Sequence, residues 1–184
     1  MTKVLVPLAQ GCEELEAVTI IDLLVRAGVE VITASLDAER VITASRGVQL
    51  IAQTTLDAVS HEVFDLVVLP GGLPGADYLK QDDRLINILK KTAEQGGYVA
   101  AICAAPQVLV QAGLLDNKQA TSFPGVIDNK PAPGMQYLNQ PVVEDGKVIT
   151  SKGPGTAMDF ALTLIERLEG SAKRQQVEQG LQRA

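Results

Sequence analysis

The sequence predicts a doubly wound α/β sandwich with a mainly parallel central sheet and a ligand site beyond the carboxyl ends of its strands. Three observations carry that prediction. The chain opens strand, helix, strand over Lys3–Ser35, the unit that produces parallel pairing. Phe64–Leu69 (FDLVVL) has the composition of a buried strand and stops abruptly at Pro70-Gly71-Gly72. Tyr98–Gly113 (YVAAICAAPQVLVQAG) joins an apolar strand to a helical pattern at Cys103. At 184 residues the chain fits one domain, 1–184, with a single substantial core.

Lys3–Leu8 (KVLVPL) reads as the first strand, with Pro7 expected near its end, where a missing ladder donor does least harm. Gln10-Gly11-Cys12 turns the chain. From Glu13 to Ala27, Leu15, Val18, Ile21, Leu24 and Val25 recur at three- and four-residue steps, and Gly28 stands where a left-handed C-cap belongs. Apolar residues lie on more than one face of this helix, more than one sheet contact needs, so it is expected to form a homodimer interface. Glu30–Ser35 is the second strand. Val41–Thr43 and Val48–Ala52 around Ser45-Arg46-Gly47 read as an inserted hairpin. Asp83–Glu94 reads as a helix, and the Cys103 strand and helix follow. The segment through Pro124, Pro131 and Pro133 reads as an irregular excursion. Val142–Glu144 and Lys147–Thr150 form a hairpin about Asp145-Gly146, a pair suited to the positive φ angles of a two-residue turn. A helix from Ala157 to Leu168 precedes a polar, helix-prone tail, Ala172–Ala184, expected to fray.

Composition excludes several function classes. A net charge of −6 without Lys/Arg clusters argues against nucleic acid or an anionic membrane as the main partner. Residues 98–115 are uncharged, but Pro106, Gln107, Gln111 and Gly113 interrupt them, so no membrane span is expected. Two cysteines make no disulfide framework, and the single histidine, His61, cannot supply a zinc site of the usual kind. No export signal is visible, and a reducing cytoplasm fits best.

Cys103 is the candidate nucleophile. A sharp strand-to-helix turn lifts its side chain above the sheet edge, with small neighbours Ala101, Ala104 and Ala105 leaving room for a substrate. A following helix N-terminus favours thiolate over thiol, so Cys103 is expected to be largely ionised at neutral pH. The competing reading is a buried cysteine that simply packs. In a doubly wound sheet the loops after the parallel strands share one edge, which brings Gly11–Glu16, Pro70–Gly75, Cys103–Ala105 and Gly153–Thr156, including Pro154, to a common mouth. Glu16 is one turn beyond Glu13 and directed toward the sheet; partly buried and raised in pKa, it can hydrogen-bond the thiolate and shuttle a proton. Glu13 and Glu14 read equally as ordinary charges at a helix start. Gly71, Gly72 and the Ala104 N–H are candidate oxyanion donors, or only a tight turn.

LPGG at 69–72, AAICAAP at 100–106, GCEELEAV at 11–18 and SKGPGTAMDF at 151–160 resemble the ThiJ/PfpI superfamily, in the branch that holds the parkinsonism-associated deglycase and its bacterial YajL-type relatives. The similarity runs in order over nearly the whole chain. It implies a flavodoxin-like fold of the class I glutamine amidotransferase kind, a cytoplasmic homodimer joined through the first helix, and no cofactor. By motif it implies that Cys103 is an oxidation-sensitive nucleophile, Glu16 its acidic partner, and Gly71, Gly72 and Ala104 the oxyanion donors. Arg26 and Arg46 match basic positions near the subunit contact and pocket. Two departures matter. Ala104 follows the cysteine where PfpI-type peptidases carry histidine, and Phe123 stands where the animal proteins carry histidine and the YajL-type branch phenylalanine. A Cys-His dyad for peptidase or amidotransferase work therefore has no evident base.

Two functions compete. One is glyoxalase or deglycase-type chemistry on 2-oxoaldehydes or early glycation adducts, as a hydro-lyase or hydrolase. The other is a redox-sensing chaperone for glycated or misfolded proteins, with Cys103 oxidised to sulfinate. Cys12 reads as a small packed residue or a resolving thiol.

Overall fold

Alternation of apolar side chains along the strands builds two cores, one on each face of a single sheet. A computed structural model describes all residues, Met1–Ala184. The elements run β1 Lys3–Leu8, α1 Glu14–Arg26, β2 Glu30–Ser35, β3 Val41–Thr43, β4 Gln49–Ile51, β5 Thr54–Thr55, α2 Leu56–Val59 and β6 Leu66–Leu69. They continue with α3 Gly75–Gln81, α4 Asp83–Glu94, β7 Tyr98–Ile102, α5 Pro106–Gln111, β8 Gln119–Ala120, β9 Gln136–Tyr137, β10 Val142–Asp145 and β11 Val148–Ser151. A 3₁₀ turn Pro154–Thr156, α6 Ala157–Glu169 and α7 Ser171–Gly180 complete the chain.

The seven-stranded sheet has the order β10-β11-β7-β6-β1-β2-β5 and is parallel except where β10 joins antiparallel to β11. This is the flavodoxin-like sandwich expected, with the Asp145-Gly146 hairpin at one edge. Val4, Val6, Leu8, Leu66, Val68, Ala100 and Ile102 face α1 and α6, and α7 adds Val177 to this side. Leu5, Val67, Leu69, Val99 and Ala101 face α2 to α5. The period-2 pattern of strands buried on both faces requires this arrangement. The winding order of the parallel strands reverses at β1, which takes β2 on one side and β6 on the other. That switch point is where a crevice opens in a doubly wound sheet.

Several expectations are modified. Pro7 lies inside β1, opposite Ala34, but beyond the last pair with β6, Leu5↔Val67, so few donors are needed there. Pro70–Gly75 leads straight into α3, which the apolar spacing did not announce, because Leu79 is the only large apolar residue it buries. The excursion after residue 115 contains the small parallel sheet of β8 and β9. The polar tail does not fray: α7 buries Val177, packs Leu181 on the core, and ties Arg174 to Glu166 and Arg183 to Asp159.

Helix α1 buries Glu16, Ala17, Ile20, Leu23 and Leu24, and exposes Leu15, Val18 and Val25 by about half on its other side. No helix is long and apolar enough to cross a membrane. Phe160, fully buried between α6 and the sheet, anchors the first core. Phe160→Ala is expected to cost roughly 3–5 kcal/mol by urea unfolding, against under about 0.5 kcal/mol for Met158→Ala on the exposed side of the same helix.

Candidate active site

Four loop segments meet at the carboxyl edge beside the switch point. The α1 start is fastened to the loop after β6 through Gly71: the Glu13 N–H donates to the Gly71 carbonyl at 2.9 Å, and the Gly71 N–H donates to Glu16 Oε1 at 3.0 Å. Glu13 also caps the helix, its Oε2 accepting from the Glu16 N–H at 3.0 Å. Glutamate is not among the usual N-cap residues, so the sequence did not announce this role. Only glycine fits at 71. A Cβ there would stand 2.7 Å from Cys103 Cβ, 2.7 Å from the Ile102 carbonyl and 2.8 Å from Glu16 Oε1. Gly72 has φ +89°, and a Cβ there would run into the Glu13 backbone nitrogen.

Cys103 follows β7 with φ +65°, a conformation that costs a residue with a Cβ on the order of 1 kcal/mol and is held by its surroundings. Its N–H donates to the Ser151 carbonyl at 3.0 Å, and its carbonyl accepts from the Phe123 N–H at 2.9 Å. These two braces, both backbone, leave no side-chain signature in the sequence. The Gly72 and Ala104 N–H groups lie near the sulfur and favour its charged form. Cys103 retains 8% exposure, a narrow opening rather than the open presentation expected.

Glu16 is completely buried. The Cys103 thiol lies close enough to interact with its carboxyl, yet Oε2 has no well-aligned donor. Burial pushes this carboxyl up to about 7; hydrogen bonds from Cys103 and Gly71 oppose the rise, and the charge of Glu13 adds to it. Burial, then the charge and hydrogen bonding of Glu16, push the Cys103 thiol up to about 12, with the Gly72 and Ala104 N–H groups opposing. A largely ionised Cys103 is thus not found. Helix α5 has only six residues and begins at Pro106, so its dipole cannot offset burial beside a carboxylate. Charge on either member disfavours charge on the other, so the pair favours a single shared negative charge. Proton transfer from sulfur to carboxylate within the pair places a thiolate beside a neutral acid.

Of the other expected residues, Gly72 and Ala104 point donors at the sulfur, whereas Gly71 spends its N–H on Glu16. Pro154 begins the 3₁₀ turn after β11, whose Ser151 is paired with Ile102. Arg46 lies exposed in the β3–β4 turn, and its backbone N–H donates to Glu14. Arg26 closes α1, ten residues and about 15 Å of helix from Glu16, where it pairs with Asp22 beside Val18 and Val25. His61 is exposed in the turn after α2, at the amino end of β6 and opposite the Cys103 edge. Cys12 is fully buried, and burial followed by the charges of Glu14 and Glu13 pushes it up to about 12. No group of His, Cys, Asp and Glu side chains is arranged to hold a metal ion.

Comparison with known proteins gives a consistent result. The model of the DJ-1/PfpI family matches residues 2–167. "Protein dj-1beta" of Drosophila melanogaster is 42% identical over 180 residues, covering 96% of this chain and 95% of that protein. "Glutathione-independent glyoxalase DJR-1.2" of Caenorhabditis elegans is 37% identical over 164 residues, 89% of this chain and 87% of that one. Two Arabidopsis thaliana relatives, DJ-1 homologs A and B, are each 42% identical over 95% and 93% of this chain, which spans only 45% and 39% of their length. The crystal structure of Drosophila DJ-1beta superposes with a TM-score of 0.95 at 41% identity, covering 100% of this chain and 98% of that one. Oxidised DJ-1 of Toxoplasma gondii superposes with a TM-score of 0.94 at 40% identity over 100% of both chains.

A carboxyl raised from 4.5 to about 7 costs roughly 3 kcal/mol to ionise in the folded chain, at about 1.4 kcal/mol per pH unit. The stability its proton supplies is full below about pH 4.5 and lost as pH rises through about 7. Glu16→Gln is therefore expected to unfold at a higher temperature than the wild type at about pH 8, with a smaller difference at about pH 5. Scanning calorimetry at the two values checks it; an equal or lower unfolding temperature at the higher pH counts against a strained carboxylate.

Proposed function

Because the chain belongs to the DJ-1/PfpI family and sets a buried carboxyl beside a narrowly exposed thiol, we propose that it is a cofactor-independent enzyme acting on 2-oxoaldehydes or early glycation adducts. The observation that carries this reading is the Glu16 carboxyl, fully buried beside the Cys103 thiol with no well-aligned donor on Oε2. Cys103 is the nucleophile and Glu16 the acid/base. The thiol proton passes to Glu16 as sulfur bonds to the aldehyde carbon, giving a hemithioacetal. Having protonated the hemithioacetal oxygen and so become a carboxylate again, Glu16 removes the hydrogen of that carbon to give an enediol and returns it to the neighbouring carbon, while the hydroxyl proton of the first carbon passes to the oxygen of the second. The product is a 2-hydroxy thioester. Water cleaves it to a hydroxy acid and the free thiol, so the sum is aldehyde plus water to hydroxy acid. The Gly72 and Ala104 N–H groups stabilise the oxyanions on this path, and Gly71 holds the base. The glyoxalase among the nematode relatives supports this chemistry.

A redox role is the second reading, and the same geometry favours it. Donors aimed at the sulfur would hold the oxygens of a sulfinate, and a relative of very similar structure was solved in an oxidised form. Within the family, Phe123 supports a place in the YajL-type branch. The unpaired state of both cysteines supports a cytoplasmic location.

We further propose a homodimer through α1. Leu15, Val18 and Val25 form an apolar stripe of the kind that marks protein contacts, and Arg26 lies at its end. Val18→Asp is expected to convert a dimer into a monomer by sedimentation at micromolar protein, and a wild-type monomer under those conditions would rule the interface out.

Dilute peroxide is expected to modify Cys103 before Cys12, because Cys12 has no exposure at all. Cys103→Ser is expected to abolish both oxidation at that site and lactate formation from methylglyoxal. Glu16→Gln keeps a hydrogen-bonding group and loses the proton shuttle, so turnover should fall by more than about a hundredfold while oxidation persists. Peptide mass mapping and a lactate assay decide it. Full turnover in Cys103→Ser would falsify the assignment, and wild-type turnover no faster than a free thiol would favour the redox reading.

A further inference from the structure

The β3–β4 hairpin is not part of the main sheet, yet it is bound closely to the segment that carries the α1 start. The Ser45 N–H donates to the Cys12 carbonyl at 2.7 Å and the Gly11 N–H to the Thr43 carbonyl at 2.8 Å. Gln10 adds bonds to the Val41 carbonyl and the Thr43 N–H. At the centre is Glu14. Its Oε1 accepts from Ser45 Oγ at 3.0 Å and its two oxygens share the Arg46 N–H, while Oε2 accepts from the Val48 N–H at 3.2 Å. The far side of the same segment meets the loop after β6, where Cβ atoms on Gly72 and Gly75 would lie within 3 Å of Cys12 backbone. Residues 10–14 thus form a thin layer, clasped by the hairpin on one side and by the site loop on the other.

We propose that Glu14 is a positioning residue for the Cys103–Glu16 pair, holding the Ser45–Val48 turn against residues 10–14 so that the first turn of α1 stays seated on Gly71. Glu14 does not touch the reacting atoms. It acts through its neighbour: Glu13 carries the N–H bound to the Gly71 carbonyl, and Gly71 carries the N–H bound to Glu16. Three donors, two of them backbone N–H groups, make four contacts spread over both oxygens, which glutamine cannot supply with one oxygen. The charged and titratable groups around this layer are Glu13, Glu16, Cys12 and Cys103, together with Arg46 in the turn. The proposal rests on the reading of Cys103 and Glu16 as the reacting pair.

The test compares wild type, Glu14→Gln and the milder Ser45→Ala in the full chain. It reads iodoacetamide alkylation of Cys103 against pH, oxoaldehyde kcat and KM, and amide exchange at residues 45–48. In Glu14→Gln, weakening of the Gly71 bond to Glu16 removes a contact that favours the carboxylate, so the inflection near pH 7 should move upward. Turnover should fall about tenfold in kcat with KM within about twofold, as expected when a reacting group is misplaced by a fraction of an ångström. Ser45→Ala should shift the inflection in the same direction by less, and decides the matter should Glu14→Gln fail to fold. An unchanged inflection, whether or not exchange at 45–48 accelerates, overturns the proposal. Absence of aldehyde turnover in the wild type would instead count against the enzymatic reading, since the alkylation profile reports the positioning without it.

Discussion

The site depends on the docking of one helix start against one glycine. Gly71 is bound on both sides of its peptide to α1, carbonyl to Glu13 and N–H to Glu16. Through that contact the switch point between β1 and β6 becomes a place where a carboxyl and a thiol meet. Nothing larger than hydrogen fits in the gap, since the ideal Cβ position is within 3 Å of Cys103, Ile102 and Glu16 together. The strain at Cys103, with its positive φ, is sustained by the β11 and Phe123 backbone bonds and not by the cysteine itself.

Function and stability are opposed at this point. A fully buried carboxyl whose second oxygen lacks a well-aligned donor is a destabilising feature in an ordinary core. Here burial holds Glu16 near neutrality, and one negative charge shared with Cys103 can move between oxygen and sulfur. In the coupled pair, transfer of the thiol proton to the Glu16 carboxylate places a thiolate beside a neutral acid.

The two cysteines illustrate how place decides chemistry. Both are buried and both are raised to about 12. Cys12 is packed beneath the loop of Gly72 and Gly75 with no opening, whereas Cys103 keeps a small exposed surface and two N–H groups aimed at sulfur. Accessibility and donors, not acidity, distinguish them.

Much of this was legible in the sequence because its causes are local or periodic. Period-2 runs and the apolar steps of α1, α4 and α6 identify buried strands and helices; Asp145-Gly146 marks a turn; the strand–Cys–Pro order marks the elbow; and chain order alone brings the four loops to one edge. The short β5, β8 and β9 strands and helix α3 lack such patterns, since they exist through pairing or through one buried Leu79. The polar tail became an ordered helix for a similar reason, one buried Val177 and ion pairs to α6. At the site, residue identities named Cys103, Glu16, Gly71, Gly72 and Ala104 as candidates, but not which donor serves which acceptor. Whether Gly71 faces the sulfur or Glu16, whether Glu14 is a loose helix-end charge or a four-bond tie, and whether the thiol is acidic all depend on sub-ångström placement and on how much water burial removes. Those quantities arise from contacts between segments 30 to 100 residues apart, so only the tertiary structure decided them.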